Sequence, residues 1–498
     1  MSSPKLAGYR LVALLVSMAL LIGACTAPTA TPTLPPVDQP TPATEPTPDQ
    51  QPTPATEPTP ATEPTPATGE VNLRWYCCLG TGEAPEQVPV EEQVAADFSA
   101  QHPTATLTFE AITYGEAYNT LATQIAAGNP PDVVGPAGVG GLEAFHGQWL
   151  DLAPYIASSG FDLSRFDAGA VEFYNTAEGQ IGIPFAIYPS MLWYNKALFD
   201  EAELNYPPHQ YGEPYVMPDG TEREWNYETV REIALILTVD EDGNDATSPD
   251  FNPDAIVQIG FEPQRDDLRQ TGSLFGAGSL LAEDGQTARV PDAWRDAWHY
   301  FYDGMWTDHF ILTGPVWAGE EWTATGYAFH SGNVAMSTNY LWSKYGVGEG
   351  SGVEGDWDIA AMPAHNGVVT APLNADTFVV HKDTRNPQEA FDALAYLLSD
   401  AAPTLTTLYG AMPAIESEQD AFFAALDQEF PHGPDWQVAK DSVAYADNPS
   451  FEAFVPKYNE TLALLAQYSS RWQETAGLDL DAEIAALEAD LQAIWDAP

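Results

Sequence analysis

The residues able to do chemistry are mostly acids, and their number makes them uninformative. The chain has 72 Asp and Glu among 498 residues. Glycoside hydrolysis needs two carboxylates at ~5–9.5 Å, and so many acids guarantee such a pair somewhere by number alone. The motifs that would commit the chain to a reaction are missing: it has no Gly-x-Ser-x-Gly elbow, no His-Glu-x-x-His zinc helix and no Walker A loop. Its nine His show no clustered ligand spacing. Two local patterns remain. Asp240, Asp242 and Asn244 have the opening spacing of a calcium loop. However, Asp245 occupies the glycine position and Phe251 stands where the closing Glu belongs. An acidic surface turn is therefore expected, with no metal. Cys77 and Cys78 are adjacent. In an oxidising compartment they predict a vicinal disulfide, with two buried reduced thiols as the alternative.

The charge balance excludes whole classes of partner. Only 17 Lys and Arg offset the acids, for a net charge of -55. A phosphate backbone is bound by clustered Lys and Arg, so no nucleic acid is expected, and an anionic lipid surface would repel the chain. Fourteen Trp and 22 Tyr exceed what cores need, and aromatic faces can serve as plates for ligands with apolar faces, such as sugars.

The first 69 residues read as an address and a tether. Lys5 and Arg10 precede the short apolar run Leu11 to Ile22, too short to span a bilayer but suited to a signal peptide over 1–24. Leu21-Ile22-Gly23-Ala24-Cys25 resembles the bacterial lipobox. It implies lipidation at Cys25 and attachment by acyl chains alone; ordinary cleavage nearby, with Cys25 incidental, is the alternative. Fourteen prolines between Pro28 and Pro66, in Thr-Pro-Ala-Thr-Glu-Pro repeats, make 25–69 a coreless, polyproline-like linker.

The elements that must position any site begin at Glu70. Val71–Tyr76 reads as a strand, Val88–Ala100 as a helix and Ala105–Ile112 as a strand. Ala117–Ala127 reads as a helix capped by Gly128, and Asp132–Val134 as a buried strand. The order β-α-β-α-β predicts an α/β fold with right-handed crossovers. Ligands of such sheets lie beyond the carboxyl ends of the strands, which selects the loops Cys77–Glu83 and Gly135–Gly141. Their members Cys78, Gly80, Thr81, Pro136 and Gly138 become candidate ligand contacts. Further on, Phe378–His381 reads as a strand and Pro387–Ser399 as a helix. Leu480–Trp495 reads as an amphipathic packing helix with Ile484, Leu487, Leu491 and Ile494 on one face.

Five ordered motifs then carry a resemblance. They are Ile125-Ala126-Ala127-Gly128-Asn129-Pro130-Pro131-Asp132-Val133-Val134, Trp149–Tyr155, Gly182-Ile183-Pro184-Phe185 with Leu192–Phe199, Phe329–Met336 with Asn339 and Trp342, and Trp357–Pro363. Together the chain from about Val71 onward resembles the extracellular solute-binding proteins of bacterial ABC importers, in the carbohydrate-binding group that includes maltose-binding protein. The resemblance implies two hinged α/β lobes with ligand in the cleft between them. Lobe one is expected over 70–189 and 376–430, and lobe two over 190–375 and 431–498, with crossings near Tyr188–Tyr194 and Leu373–Thr377. It implies a monomer without cofactor or catalysis that captures a sugar or oligosaccharide and passes it to the transmembrane subunits of an ABC permease. A secreted glycoside hydrolase, or the same scaffold holding a peptide, polyamine or other non-sugar solute, are the alternatives.

It also implies candidate cleft residues. Trp342 is the expected stacking plate, with Asn339 and Tyr340 on its loop after the strand Val334–Ser337. Tyr188 is expected at the hinge mouth, with Trp193 and Tyr194 as hinge core. Glu262, Gln264 and Arg265, after the strand Val257–Phe261, could reach hydroxyls from lobe two. Asn374 and Asp376 lie in the returning crossover. Trp322, Trp317 and Trp436 are further candidate plates. The lobe-one loops lack the charged pair and the Trp found in maltose-binding protein.

Overall fold

A computed structural model describes residues 71–497 apart from 167, 177, 265, 266, 324–326 and 349. Cys25, the signal-like segment, the linker and Arg265 lie outside the described residues.

Two sheets organise the chain. The first has six strands in the order Met412–Pro413, Ile183–Pro189, Leu373–Val380, Val133–Gly138, Val71–Cys77 and Ala105–Ala111. Val71–Cys77 pairs in parallel with both Ala105–Ala111 and Val133–Gly138, and the remaining pairs are antiparallel. The helices Val88–Gln101 and Tyr114–Ala126 supply the crossovers, so the β-α-β-α-β reading of the first part holds. The second sheet has five strands in the order Val239–Asp240, Ile256–Phe261, Val334–Asn339, Met191–Asn195 and Trp357–Ala360.

Three expected elements are longer than their sequence pattern. The strand expected at Asp132–Val134 continues through Gly138, so Gly135–Gly138 is strand rather than loop. The strand expected at Phe378 begins at Leu373. Asn374 and Asp376 are therefore strand residues of the first sheet, and the chain has already returned to that sheet before Leu373. The strand Val334–Asn339 likewise absorbs Asn339. In each case a flanking strand provides the partner that Gly-Pro-Ala-Gly or Leu-Asn-Ala-Asp lacks in its own pattern: Asp376 pairs with both Gly138 and Ala186.

Each sheet is closed by its own core. Trp75, Phe98, Phe185, Phe378, Phe391 and Leu394 bury the first. Around the second, Tyr194, Phe199, Ile233, Phe261 and Met336 fill one face and Trp193, Phe329, Trp357 and Phe430 the other. The helix Tyr227–Leu237 shows how the sequence builds this. Asn226 caps it by accepting from Thr229 N at 2.9 Å, and Val230, Ile233, Ala234 and Leu237 form its buried stripe. Gly260 lies beneath that stripe, and a Cβ there would come within 2.0 Å of Ala234 O, so only glycine lets strand and helix approach this closely. The last helix runs Leu480–Asp496 and buries Ile484, Leu487 and Leu491. The helix Glu416–Glu429, which the expected boundary at 430 assigned to lobe one, packs Phe422, Phe423 and Leu426 with Trp193 and Trp357. Its aromatics pack on the second sheet, while Gln419 Nε2 donates to Pro413 O of the first sheet at 3.1 Å.

The two sheets meet at a very short connection. Strand Ile183–Pro189 ends one residue before strand Met191–Asn195 begins, and that residue, Ser190, donates its N–H to Pro372 O at 3.0 Å. No helix among the described residues is long and apolar enough to cross a membrane.

Candidate functional site

The site is built where the carboxyl ends of the first sheet meet residues from the second half of the molecule. From lobe one, Leu79 bridges to Ala137 in parallel and so ties the two predicted loops together. Gly80 lies against Pro136: a Cβ on Gly80 would meet Pro136 O at 3.1 Å and Asp376 Oδ2 at 3.4 Å. Thr81 follows, partly exposed. Asp376 is 6% exposed, and its Oδ2 accepts from Tyr188 Oη at 3.4 Å. Asn374 pairs with Tyr188 across the strands, and its Nδ2 is shut off from solvent with no partner.

From lobe two come aromatic rings and a second polar set. Trp342 lies 5.0 Å from Tyr188, centroid to centroid, and stacks on Tyr340 at 4.3 Å. Tyr340 joins the core of the first sheet, and its hydroxyl accepts from Gln270 Nε2 at 2.9 Å. Arg269 is 2% exposed. It is held by Asp267, whose Oδ2 accepts from Nε at 2.9 Å and Nη2 at 2.7 Å, and its Nη2 donates to Tyr458 Oη at 3.5 Å. Gly140 admits Tyr458: a Cβ there would stand 2.7 Å from its hydroxyl and 3.6 Å from Glu452 Oε1.

The chemistry of this seam lies in what is left unmade. Asn374 Nδ2, Trp342 Nε1, Arg269 Nη1, Tyr174 Oη and Glu452 Oε2 are all shut off from solvent with no hydrogen-bond partner. Each such group costs on the order of 1–3 kcal/mol, and native interiors hold few of them. A small molecule with donors and acceptors around its edge would satisfy them, while its apolar face met Trp342. No group of three or more His, Cys, Asp or Glu that could hold a metal ion occurs among the described residues.

The other predicted residues have these settings. Glu262, 2% exposed, accepts from Leu312 N at 3.1 Å through Oε2. Gln264 bonds Thr338 O through its backbone and Tyr327 Oη at 3.5 Å through its side chain. Asn339 Oδ1 accepts from Tyr340 N at 2.9 Å and so shapes the turn into Trp342. Trp322 and Trp436 are core residues beside Trp193, with Trp317 packed on that cluster. Trp193 stacks on Trp357 and Tyr194 is buried in the opposite face, as expected for hinge core. Asp240 is a turn residue: its carboxylate accepts from the N–H groups of Asp242, Asn244 and Asn252. The seam residues that the sequence did not reveal are Tyr174, Asp267, Arg269, Gln270, Glu452 and Tyr458. The one usable signal was Asp267 as a cap, accepting from Arg269 N, directly after the predicted 262–265 loop. Glu452 lies in irregular chain and carried none.

Cys77 and Cys78 are bonded to each other and fully buried at the end of the first strand. A Cβ on Gly82 would meet both sulfurs and Glu91 Oε1 at once, the sulfurs at 2.7 and 3.3 Å. Protein prepared without reductant should therefore yield no alkylatable thiol in the peptide that carries both cysteines. Two labelled thiols there would refute the bond.

Burial sets the electrostatics. It pushes Asp376 up to about 7 and Glu452 up to about 8. Beside Glu452 it pushes Asp447 up to about 6, and away from the seam it pushes Glu91 up to about 8. Each of these folded-state values lies above the unfolded carboxylate value of ~4. The fold favours the neutral acid, so the contribution is complete in mild acid and is lost as pH rises from ~4 through the folded values. The melting temperature of the unliganded protein should accordingly fall between pH 5 and pH 8, and Glu91→Gln should flatten part of that slope. A constant or rising melting temperature would contradict the burial of these acids.

With the geometry in place, residues 83–402 match the bacterial extracellular solute-binding protein family. The chain belongs to that family. Its members bind solutes for ABC transporters and are not enzymes. Comparison with curated proteins finds no match. Solved structures of similar fold include an ABC substrate-binding protein from Listeria monocytogenes in complex with cycloalternan, at 17% identity and TM-score 0.65, covering 86% of this chain and 98% of that one. The sugar-binding protein MalE from Xanthomonas citri has 19% identity and TM-score 0.62, covering 85% and 97%. A cyclic α-maltosyl-1,6-maltose binding protein from Arthrobacter globiformis has 15% identity and TM-score 0.62, covering 86% and 99%. At these identities the likeness is one of fold, a two-lobe α/β fold.

Proposed function

We propose that this solute-binding protein captures a sugar or oligosaccharide between its lobes and delivers it to an ABC permease, held at the outer face of the membrane by lipid on Cys25. The observation that carries this reading is the seam itself. Unpartnered polar atoms shut off from solvent come from both lobes: Asn374 Nδ2, on the residue paired with Tyr188, and Tyr174 Oη on one side, and Trp342 Nε1, Arg269 Nη1 and Glu452 Oε2 on the other. Hydroxyls would pair the polar atoms and a ring face would lie on Trp342. Proteins of this fold in complex with cycloalternan or named for sugars agree with it. A solute that contacts both lobes favours the form in which they are together, and differential affinity for that form drives closure. The same reading makes the protein a monomer without cofactor, and gives 25–69 the role of a spacer between anchor and binding domain. ATP hydrolysis would belong to another subunit.

A thermal-shift screen against a broad saccharide library, followed by calorimetry, tests the proposal, because a ligand that binds only the native state raises its melting temperature. Binding with the saccharide recovered intact is expected. Absence of binding across the library, or recovery of cleaved product, would overturn it. Release of the anchored protein from membranes after Cys25→Ala tests the lipid attachment separately.

A further inference from the structure

The two carboxyls at the centre of the seam constrain its occupant further, and this inference rests on the saccharide reading above. Asp376 and Glu452 reach a common space from opposite lobes. A Cβ placed on Gly138 would stand 3.4 Å from Asp376 Oδ1 and 3.9 Å from Glu452 Oε1. Glu452 Oε2 has no partner, and Asp376 receives one hydrogen bond, from Tyr188. Tyr174, 2% exposed, has an unpartnered hydroxyl and feels both carboxyls electrostatically.

The charges around this space do not balance. Asp267 is neutralised by Arg269. Asp447 spends its carboxylate on the N–H groups of Leu373 and Phe451. Arg269 is the one cation acting on Glu452 among the described residues, and none of them acts on Asp376. Two carboxyls thus share a space walled by Tyr174, Tyr188 and Tyr458, and among the described residues the nearby guanidinium of Arg269 is already held by Asp267.

We propose that the cleft takes a basic saccharide, one bearing a free amine, whose ammonium sits between Asp376 and Glu452 beside the Tyr174 hydroxyl. An ammonium has donors and no acceptor, which suits two carboxylates and a phenol oxygen. A hydroxyl could bond either carboxyl in its neutral form, whereas only a cation would hold the two together in their ionised forms. Tyrosine rings also attract a cation. Without ligand, burial keeps both acids partly protonated at neutral pH. A bound cation would favour their ionised forms, so capture at pH 7 should release protons to the buffer.

Matched saccharide sets test this. Each contains a free-amine compound, its N-acetylated form and its hydroxyl counterpart; glucosamine oligomers, galactosamine and aminocyclitol glycosides supply the amines. Calorimetry at pH 7 in two buffers of different protonation enthalpy reads affinity and proton release together. Within any set that binds, the amine should bind at least tenfold tighter than either neutral form and release protons. Asp376→Asn and Glu452→Gln should abolish that preference while the purified variants still melt cooperatively. A neutral form binding as tightly as its amine would overturn this proposal and leave the saccharide reading intact. Absence of binding across every set and across the neutral library would overturn both.

Discussion

Trp193→Ala should destabilise the protein by about 3–5 kcal/mol, the usual cost of removing a large aromatic from a core. Trp193 is fully buried on the strand Met191–Asn195, which lies between Val334–Asn339 and Trp357–Ala360 in the second sheet. It pairs through Ser337 on one side and Ile359 on the other. Its ring stacks on Trp357 at 4.8 Å with planes 18° apart, and Phe329 meets it edge-on at 6.2 Å. Helix Glu416–Glu429 closes over the same cluster, so little can move in to fill the space. Trp193→Phe should cost much less, because its indole N–H has no partner to lose. Denaturant midpoints for both variants decide the matter. A loss below ~1 kcal/mol for the alanine variant would mean that this core is not packed as described.

Trp342→Ala should leave stability nearly unchanged and weaken saccharide binding by about 10–100-fold, or ~1.4–3 kcal/mol. Trp342 differs from Trp193 in setting: it is partly exposed, lies against the first-sheet core rather than inside it, and its neighbours Tyr188 and Tyr340 belong to the seam. Calorimetry with the saccharide that gives the largest thermal shift measures the change. Unchanged affinity would remove Trp342 from the site.

The comparison of these tryptophans shows what a sequence can disclose. Motif position separated Trp342 from Trp193, and alternating or 3-4 spaced apolar residues marked most strands and helices of the first lobe. Pattern failed where a strand borrows its regularity from neighbours. Gly135–Gly138 and Leu373–Asp376 have no alternation of their own and become strand through neighbours: Ala137 and Gly138 pair with Thr377 and Asp376, and Leu373–Asp376 pairs with Ala186–Pro189. It failed again for groups that meet only through tertiary folding. Arg269 and Tyr458 stand 189 residues apart, and nothing local to Glu452 hints that it will face Asp376. Trp322 and Trp436 mark the opposite error. Abundant indoles suggested plates, but a large ring fills a core as readily as it lines a cleft.

The lone Ser190 between two paired strands has a consequence for how this molecule can vary. The register of each strand is set by its own partners, so an added residue at Ser190 would lengthen the link without turning either strand over. A one-residue link holds the ends of the two strands close together, so an insertion there would loosen the tie between the sheets sooner than it would unsettle either core.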